Sequence, residues 1–257
     1  MDLGIEDRIA LVCAASKGLG RAAAAALARE GARVAIVARG REALEAAAAG
    51  IGAVPILADV SREEDRERIA AEVKARLGAV QILVNNAGGP PAGPFEAHDV
   101  DAWRAAMELN LVSAVHLTRL VLPDMIAAGS GRIVNLVSIA GIEAMDDLIL
   151  SNASRPAVLG WTRALAREVA PKGVGVVAIC PGLFLTDRVL GLVKVRAGRA
   201  GTSEDEALQA WASTIPARRF GNPEEMGDLV AFLSSPRAAY LNGSAVSIDG
   251  GLARRLS

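Results

Sequence analysis

Seven short apolar runs alternate with helical patterns along this chain, and that alternation limits the fold more than any other feature. The runs fall at residues 8–15 (RIALVCAA), 33–38, 54–57, 80–84, 133–137, 174–179 and 244–248. Most are continuously apolar, which is how a strand buried on both faces reads. Strand, helix and strand in succession give parallel pairing with right-handed crossovers. The expected fold class is α/β: a single-domain, doubly wound Rossmann fold over residues 1–257, with a seven-stranded parallel sheet flanked by helices.

Local signals place the helices. Gly31 ends the helix of residues 21–30 in the manner of a C-terminal glycine. Ser61 with Glu64 spells a capping box for a helix reaching Leu77. Residues 100–128 read as one long helix whose buried stripe (Trp103, Met107, Leu111, Leu117) has one polar intruder, Asn110. Asn222 as N-cap and Pro223 at the first helical position open a later helix.

In an open α/β sheet, ligands bind beyond the carboxyl ends of the strands. After the first strand comes Ser16-Lys17-Gly18-Leu19-Gly20, a glycine-rich turn that lets the backbone approach a pyrophosphate at a helix N-terminus. Arg39 ends the second strand and Lys17 lies in the turn. Two cations where a 2′-phosphate would sit favour NADP over NAD. The 133–137 strand ends at Ser138, and the helical pattern beginning near Ser151 carries Arg155. These three are candidates to line a site. Residues 183–215 are apolar with interleaved Arg188, Lys194, Arg196 and Arg199. They read either as a lid over an apolar or acyl substrate, with the cations helping an anionic tail, or as an amphipathic helix pair packed on the body.

Other bulk properties narrow the partners. A net charge of −1 gives no reason to expect nucleic acid or an anionic membrane surface. No uninterrupted apolar run reaches the ~20 residues of a membrane span. The opening MDLGIEDR is not a signal peptide, so a cytoplasmic location is expected. Cys13 and Cys180 end apolar runs and read as buried thiols. His98 and His116 lie far apart with no Cys/His cluster, so no metal site is expected.

Across about residues 8–251 these motifs resemble the short-chain dehydrogenase/reductase family, and within it the 3-oxoacyl-carrier-protein reductases. Cys13 to Gly20 stands where the family has TGxxxGxG, with Ala14 in place of the first glycine. Asp59-Val60 matches its adenine contact, and Asn85-Asn86-Ala87-Gly88 its NNAG motif. Pro181-Gly182-Leu183 with Thr186 matches the PGxxxT cofactor loop, and Asp249-Gly250-Gly251 fits as well. Asn110 stands at the catalytic helix asparagine and Ser138 at the catalytic serine. The resemblance implies a homotetramer or a dimer.

The pattern breaks at the proton donor. The family's tyrosine stands 13 residues beyond the serine and its lysine four further on, which here are Ser151 and Arg155. SNASR thus occupies the place of YxxxK, and Tyr240 is the only tyrosine. Serine is a far weaker acid than a phenol and shorter by a ring. Arginine keeps the charge and can still bond a cofactor ribose, but with an ordinary pKa above ~12 it does not readily pass a proton. Losing a positioned general acid costs ~10²–10⁴ in rate. Three readings follow: an NADP-dependent carbonyl/alcohol oxidoreductase using Asp146, Asp147 or a water held by Ser151; a reductase of a conjugated double bond; or a dinucleotide-binding protein without turnover, serving regulation or assembly.

Overall fold

The seven strands form one sheet in which every ladder is parallel, in the order β3-β2-β1-β4-β5-β6-β7. They are β1 (Ile9–Val12), β2 (Arg33–Ala38), β3 (Val54–Leu57), β4 (Ile82–Asn85), β5 (Gly131–Leu136), β6 (Val174–Pro181) and β7 (Ala245–Ile248). This computed structural model describes residues 1–254. The order reverses between β1 and β4, and that switch point opens a crevice at the strands' carboxyl ends.

Helices cover both faces. Ala23, Ala24 and Leu27 of α1 (Gly18–Arg29), Leu44 and Ala47 of α2 (Arg41–Ile51) and Met226 and Val230 of α9 (Pro223–Ser234) pack on one side. The other side buries Ile69 and Val73 of α3 (Glu63–Arg76), Leu117, Val121 and Met125 of α5 (Ser113–Ala127), and Val169 of α6 (Ile149–Val169). Strands buried on both faces are the reason their sequences are continuously apolar.

Two local expectations are corrected. Ser61 caps nothing: α3 starts two residues later, because the Ser61 hydroxyl and N–H both donate to the Asp59 carboxylate, at 2.7 and 2.9 Å. The long helix is not continuous. It divides into α4 (Val100–Met107), a π-helical segment (Glu108–Val112) and α5, so that a wide turn carries Asn110. Such π segments occur frequently at functional sites. By length and hydropathy Val100–Ala127 could cross a membrane, although no single apolar run is that long. Its apolar stripe is already spent on the sheet. Gly31 does follow α1 at φ +83°, and the Glu225 carboxylate accepts the Asn222 N–H at 2.8 Å to open α9.

Residues 183–215 form α7 (Asp187–Ala200) and α8 (Glu204–Ala212), which close on a small core of their own. That core holds Val189, Val193, Ile215 and Phe220. Trp211 meets Phe220 edge-on at 5.5 Å, and the Arg196 guanidinium covers the Trp211 ring at 4.1 Å. Leu190, Leu192 and Val195 stay exposed.

Candidate active site

The turn after β1 is shaped by close approach. A Cβ on Gly20 would stand 2.4 Å from the Ala14 carbonyl oxygen and 2.7 Å from the Asn86 amide nitrogen, so only glycine fits. Asn86 Nδ2 donates to the carbonyls of Cys13 and Ala14 at 3.2 and 3.3 Å, fastening the end of β4 to the turn. Ala14 takes φ +48°, the left-handed backbone that glycine would adopt at less cost. Lys17 flanks α1 without a side-chain cap, so among the described residues no side chain caps the first helical N–H groups of Gly18 and Leu19. Thr186, just before α7, brings its methyl to 3.6 Å from a Cβ on Gly18. Gly88 has nothing within 4 Å of such an atom, so the strand β4 side is open.

At the β2 end, Arg39 is exposed and its guanidinium lies 3.7 Å from the Asp59 carboxylate. Burial works against the charge on Asp59, but the two bonds from Ser61 and the nearness of Arg39 outweigh it and hold the carboxyl below its ordinary value. Val60 is buried and its carbonyl accepts from Arg66 at 2.8 Å. Gly182 packs against Asp249, where a Cβ would meet the Asp249 backbone at 2.7 Å, and its N–H donates to Ile248. Leu183 accepts from the Gly221 N–H.

At the β5 end the Ser138 Oγ accepts the Ala140 N–H at 3.1 Å, leaving its own hydroxyl proton free to donate. Ser151 lies in the first turns of α6, 8% exposed. Arg155, one turn further, is 7% exposed and donates to the Leu136 carbonyl at 3.2 Å. Burial, aided by repulsion from Arg188, pulls its pKa down to about 10, against the pull of the Cys180 thiol. Asn110 donates to the Ala106 carbonyl at 3.0 Å. Its Oδ1 and the Arg155 Nε are both buried and have no hydrogen-bond partner among the described residues, and the two residues line one cavity with Asn86, Ala87 and Leu136. Asp146 and Asp147 sit on an exposed turn, with Asp147 at φ +57°, and form no ion pair among the described residues.

The sequence reading missed two supports. Asn85 donates to Asn135 at 2.9 Å and to Thr118 at 3.2 Å, and Asn135 donates to Thr162 at 2.8 Å. This buried ladder ties β4 and β5 to α5 and α6. Arg66, 3% exposed, donates to Val60, to Glu108 at 2.7 Å and to His116 Nδ1 at 3.0 Å. It joins α3 to the first residue of the π segment. His116 also approaches Glu63 and Glu67, their ligand atoms within 4.8 Å. The bond from Arg66 places the proton of a neutral ring on Nε2, so this trio offers a cation no histidine lone pair.

Comparison with known proteins decides the family. The family model described as Enoyl-(Acyl carrier protein) reductase matches residues 13–253. The chain belongs to the short-chain dehydrogenase/reductase family. It is 37% identical to nodulation protein G of Azospirillum brasilense, over 96% of this chain and 99% of that one. It is 34% identical to a putative ketoacyl reductase of Streptomyces coelicolor, over 96% and 97%. The L-sorbose reductase of Gluconobacter frateurii, solved with NADPH and L-sorbose, superposes with a TM-score of 0.94 at 32% identity over 100% of both chains. An actinorhodin polyketide ketoreductase variant solved with NADPH gives 0.91 at 33% identity, over 97% and 98%. The chain is accordingly an NAD(P)-dependent oxidoreductase of this family.

Proposed function

We propose that this chain is an NADP-dependent reductase of a carbonyl compound in which no tyrosine supplies the proton. The reading is carried by one observation: the N-terminus of α1, the open Gly88 backbone and the Ser138 hydroxyl follow the carboxyl ends of three neighbouring parallel strands, β1, β4 and β5. NADP fits the groups present. The N–H groups of Gly18 and Leu19 suit the pyrophosphate, with Ser16 and Thr186 beside them. Lys17 and Arg39 suit a 2′-phosphate, and Asp59 with Val60 borders the adenine end. Asn86, Ala87, Gly88, Pro181, Gly182 and Leu183 form the floor and rim. The unpaired Nε of Arg155 is available to a ribose hydroxyl. The NADPH complexes of the related sorbose reductase and ketoreductase support the same choice.

When bound, NADPH supplies a hydride for the carbonyl carbon. The protein's part is to hold the oxygen. Ser138 donates a hydrogen bond to that oxygen and keeps its proton, and Ser151, standing in the place of the family's tyrosine, gives the oxygen one proton and takes one back from water. Arg155, in the place of the family's lysine, lends positive charge as negative charge develops on the oxygen. Asn110, held open by the π segment, offers its Oδ1 to an ordered water on that path. Asp146 and Asp147 stay outside this scheme because they are solvated on their turn.

Two measurements test this. NADPH consumption is followed against a panel of ketones, quinones, 3-oxoacyl thioesters and enones. Carbonyl substrates are expected to be consumed. Tight NADPH binding with no consumption of any of them would assign the chain a binding role instead, and consumption of enones alone would assign double-bond reduction. In a separate titration, NADH binding as tightly as NADPH would overturn the roles given to Lys17 and Arg39.

A further inference from the structure

A second cavity, of about 330 Å³, opens at the other end of the sheet from the cofactor crevice, by the amino ends of β5 and β6. Its lining joins Arg8, Ser130, Arg132 and Gly175 to Ser234, the last residue of α9. That volume is at the lower end of the roughly 300–1,000 Å³ of small-molecule sites. Among the described residues no aspartate or glutamate lines it.

Arg132 is the most buried charge in this lining, 4% exposed. It shares a strand face with Val134 and Leu136, the face that α9 covers. Its Nε–H donates to the Leu233 carbonyl, and Nη2 donates to the carbonyls of Ala238 at 3.2 Å and Leu241 at 2.8 Å. Those bonds use three of the five guanidinium protons. The two on Nη1 have no acceptor among the described residues, and Nη1 stands where a Cβ on residue 175 would be, so only glycine there admits it. Arg8 Nη2 donates to the Ser130 Oγ at 3.0 Å, which leaves the Ser130 hydroxyl proton free. The Ser234 Oγ is buried and has no partner among the described residues. Neither arginine forms an ion pair among the described residues. Burial alone pulls the Arg132 pKa down to about 10, which leaves it charged at neutral pH.

Three carbonyls at the end of a helix offset part of a guanidinium's charge. A buried cation with donors left over is completed by an anion. We propose that this cavity is a second ligand site, for a small anion of phosphate chemistry, held by Arg8, Arg132 and the hydroxyls of Ser130 and Ser234. The donor inventory carries it: two guanidinium groups and two uncommitted hydroxyls line one cavity that holds no carboxylate. A phosphate accepts on every oxygen and so can engage all of them, the guanidinium groups through charge-assisted bonds. Bound there, the anion joins the starts of β5 and β6 to the end of α9. The site lies away from the crevice and does not depend on which reaction the crevice performs. Free phosphate and a phosphate monoester share this chemistry, and the test compares them.

The full chain, saturated with NADP⁺ so that the crevice is filled, is melted by calorimetry in sodium chloride and in sodium phosphate at equal pH and ionic strength. A third series uses glycerol 3-phosphate. Phosphate is expected to raise Tm saturably, by about 3–6 °C at ten times its half-saturating concentration. An equal or tighter response to glycerol 3-phosphate assigns the site to organic phosphates, and a response to inorganic phosphate alone assigns it to the free ion. Each variant is read as its own difference between the salts, so a change in basal stability cancels. Arg8→Met is expected to raise the half-saturating concentration about tenfold or more, and Ser234→Ala, which removes only a hydroxyl, by a smaller factor. A Tm equal in chloride and phosphate overturns the proposal, as does a rise that never saturates, which is the general salting effect of phosphate. A saturable shift unchanged in both variants also overturns it. So does a shift seen only without NADP⁺, since the phosphate would then occupy the cofactor crevice.

Discussion

Replacing Arg66 with methionine keeps much of the stem's volume and removes the guanidinium, which exposes how the π segment is held. Arg66 is 3% exposed and makes three bonds, to the carbonyl of Val60, the carboxylate of Glu108 and Nδ1 of His116. The Val60 carbonyl loses its donor in a buried place, worth about 1–3 kcal/mol. Glu108 is 39% exposed in its side chain and recovers water, so the ion pair itself adds only about 0–1 kcal/mol. Together Arg66→Met is expected to destabilise by about 1–4 kcal/mol, which lowers Tm by about 2–16 °C for a domain of this size. Differential scanning calorimetry reads this directly. Glu108→Gln, which leaves the guanidinium bonded to Val60 and His116, is expected to cost less than about 1 kcal/mol. Because Arg66 joins Val60 to the residue that begins the π segment carrying Asn110, the methionine variant should also lower kcat for NADPH oxidation more than Glu108→Gln does. An Arg66→Met protein melting within about 2 °C of the parent would refute the reasoning, since Val60 would then have lost nothing it needed.

Gly20→Ala drives a methyl group into the Ala14 carbonyl and the Asn86 amide, so a loss of about 1–3 kcal/mol and weakened NADPH binding by fluorescence titration are expected together. Ala14→Gly relieves the residue at φ +48° and is expected to be neutral to stabilising, by less than about 1 kcal/mol, in urea unfolding. Burial raises the Cys13 thiol from 9.0 to about 12 against the smaller opposing effect of the Asn86 hydrogen bond. The folded thiol therefore keeps a proton that the unfolded one releases, and stability falls as pH rises from 9 toward 12. Cys13→Ala should flatten that decline, and native Cys13 should resist alkylation until the chain unfolds. Removal of the Arg39 guanidinium in Arg39→Ala should narrow the preference for NADPH over NADH in paired titrations.

The fold could be read from the chain because each strand is buried on both faces, and an unbroken apolar run such as residues 174–179 has no other use in an alternating chain. The glycine-rich turn was readable for a similar reason: Gly20 is required by atoms only a few residues away along the chain or one strand over. What stayed hidden depends on partners far apart in sequence. Arg66 sits in EEDRERIAAE, which reads as a solvated helix face, yet its side chain enters the space between α3 and α5 and is buried there. The apolar stripe of residues 100–128 persists through the π segment, so periodicity cannot reveal the wide turn that carries the buried Asn110. Ser61 and Glu64 have the spacing of a capping box, but the Ser61 hydroxyl donates to the Asp59 carboxylate and α3 opens from Arg62 instead. The same holds for the site's charge. SNASR shows that tyrosine and lysine are missing, but it does not show where the replacement cation points. Arg155 turns inward, 7% exposed, and donates to the carbonyl of Leu136 at the end of β5, a partner that no local spacing in SNASR reveals.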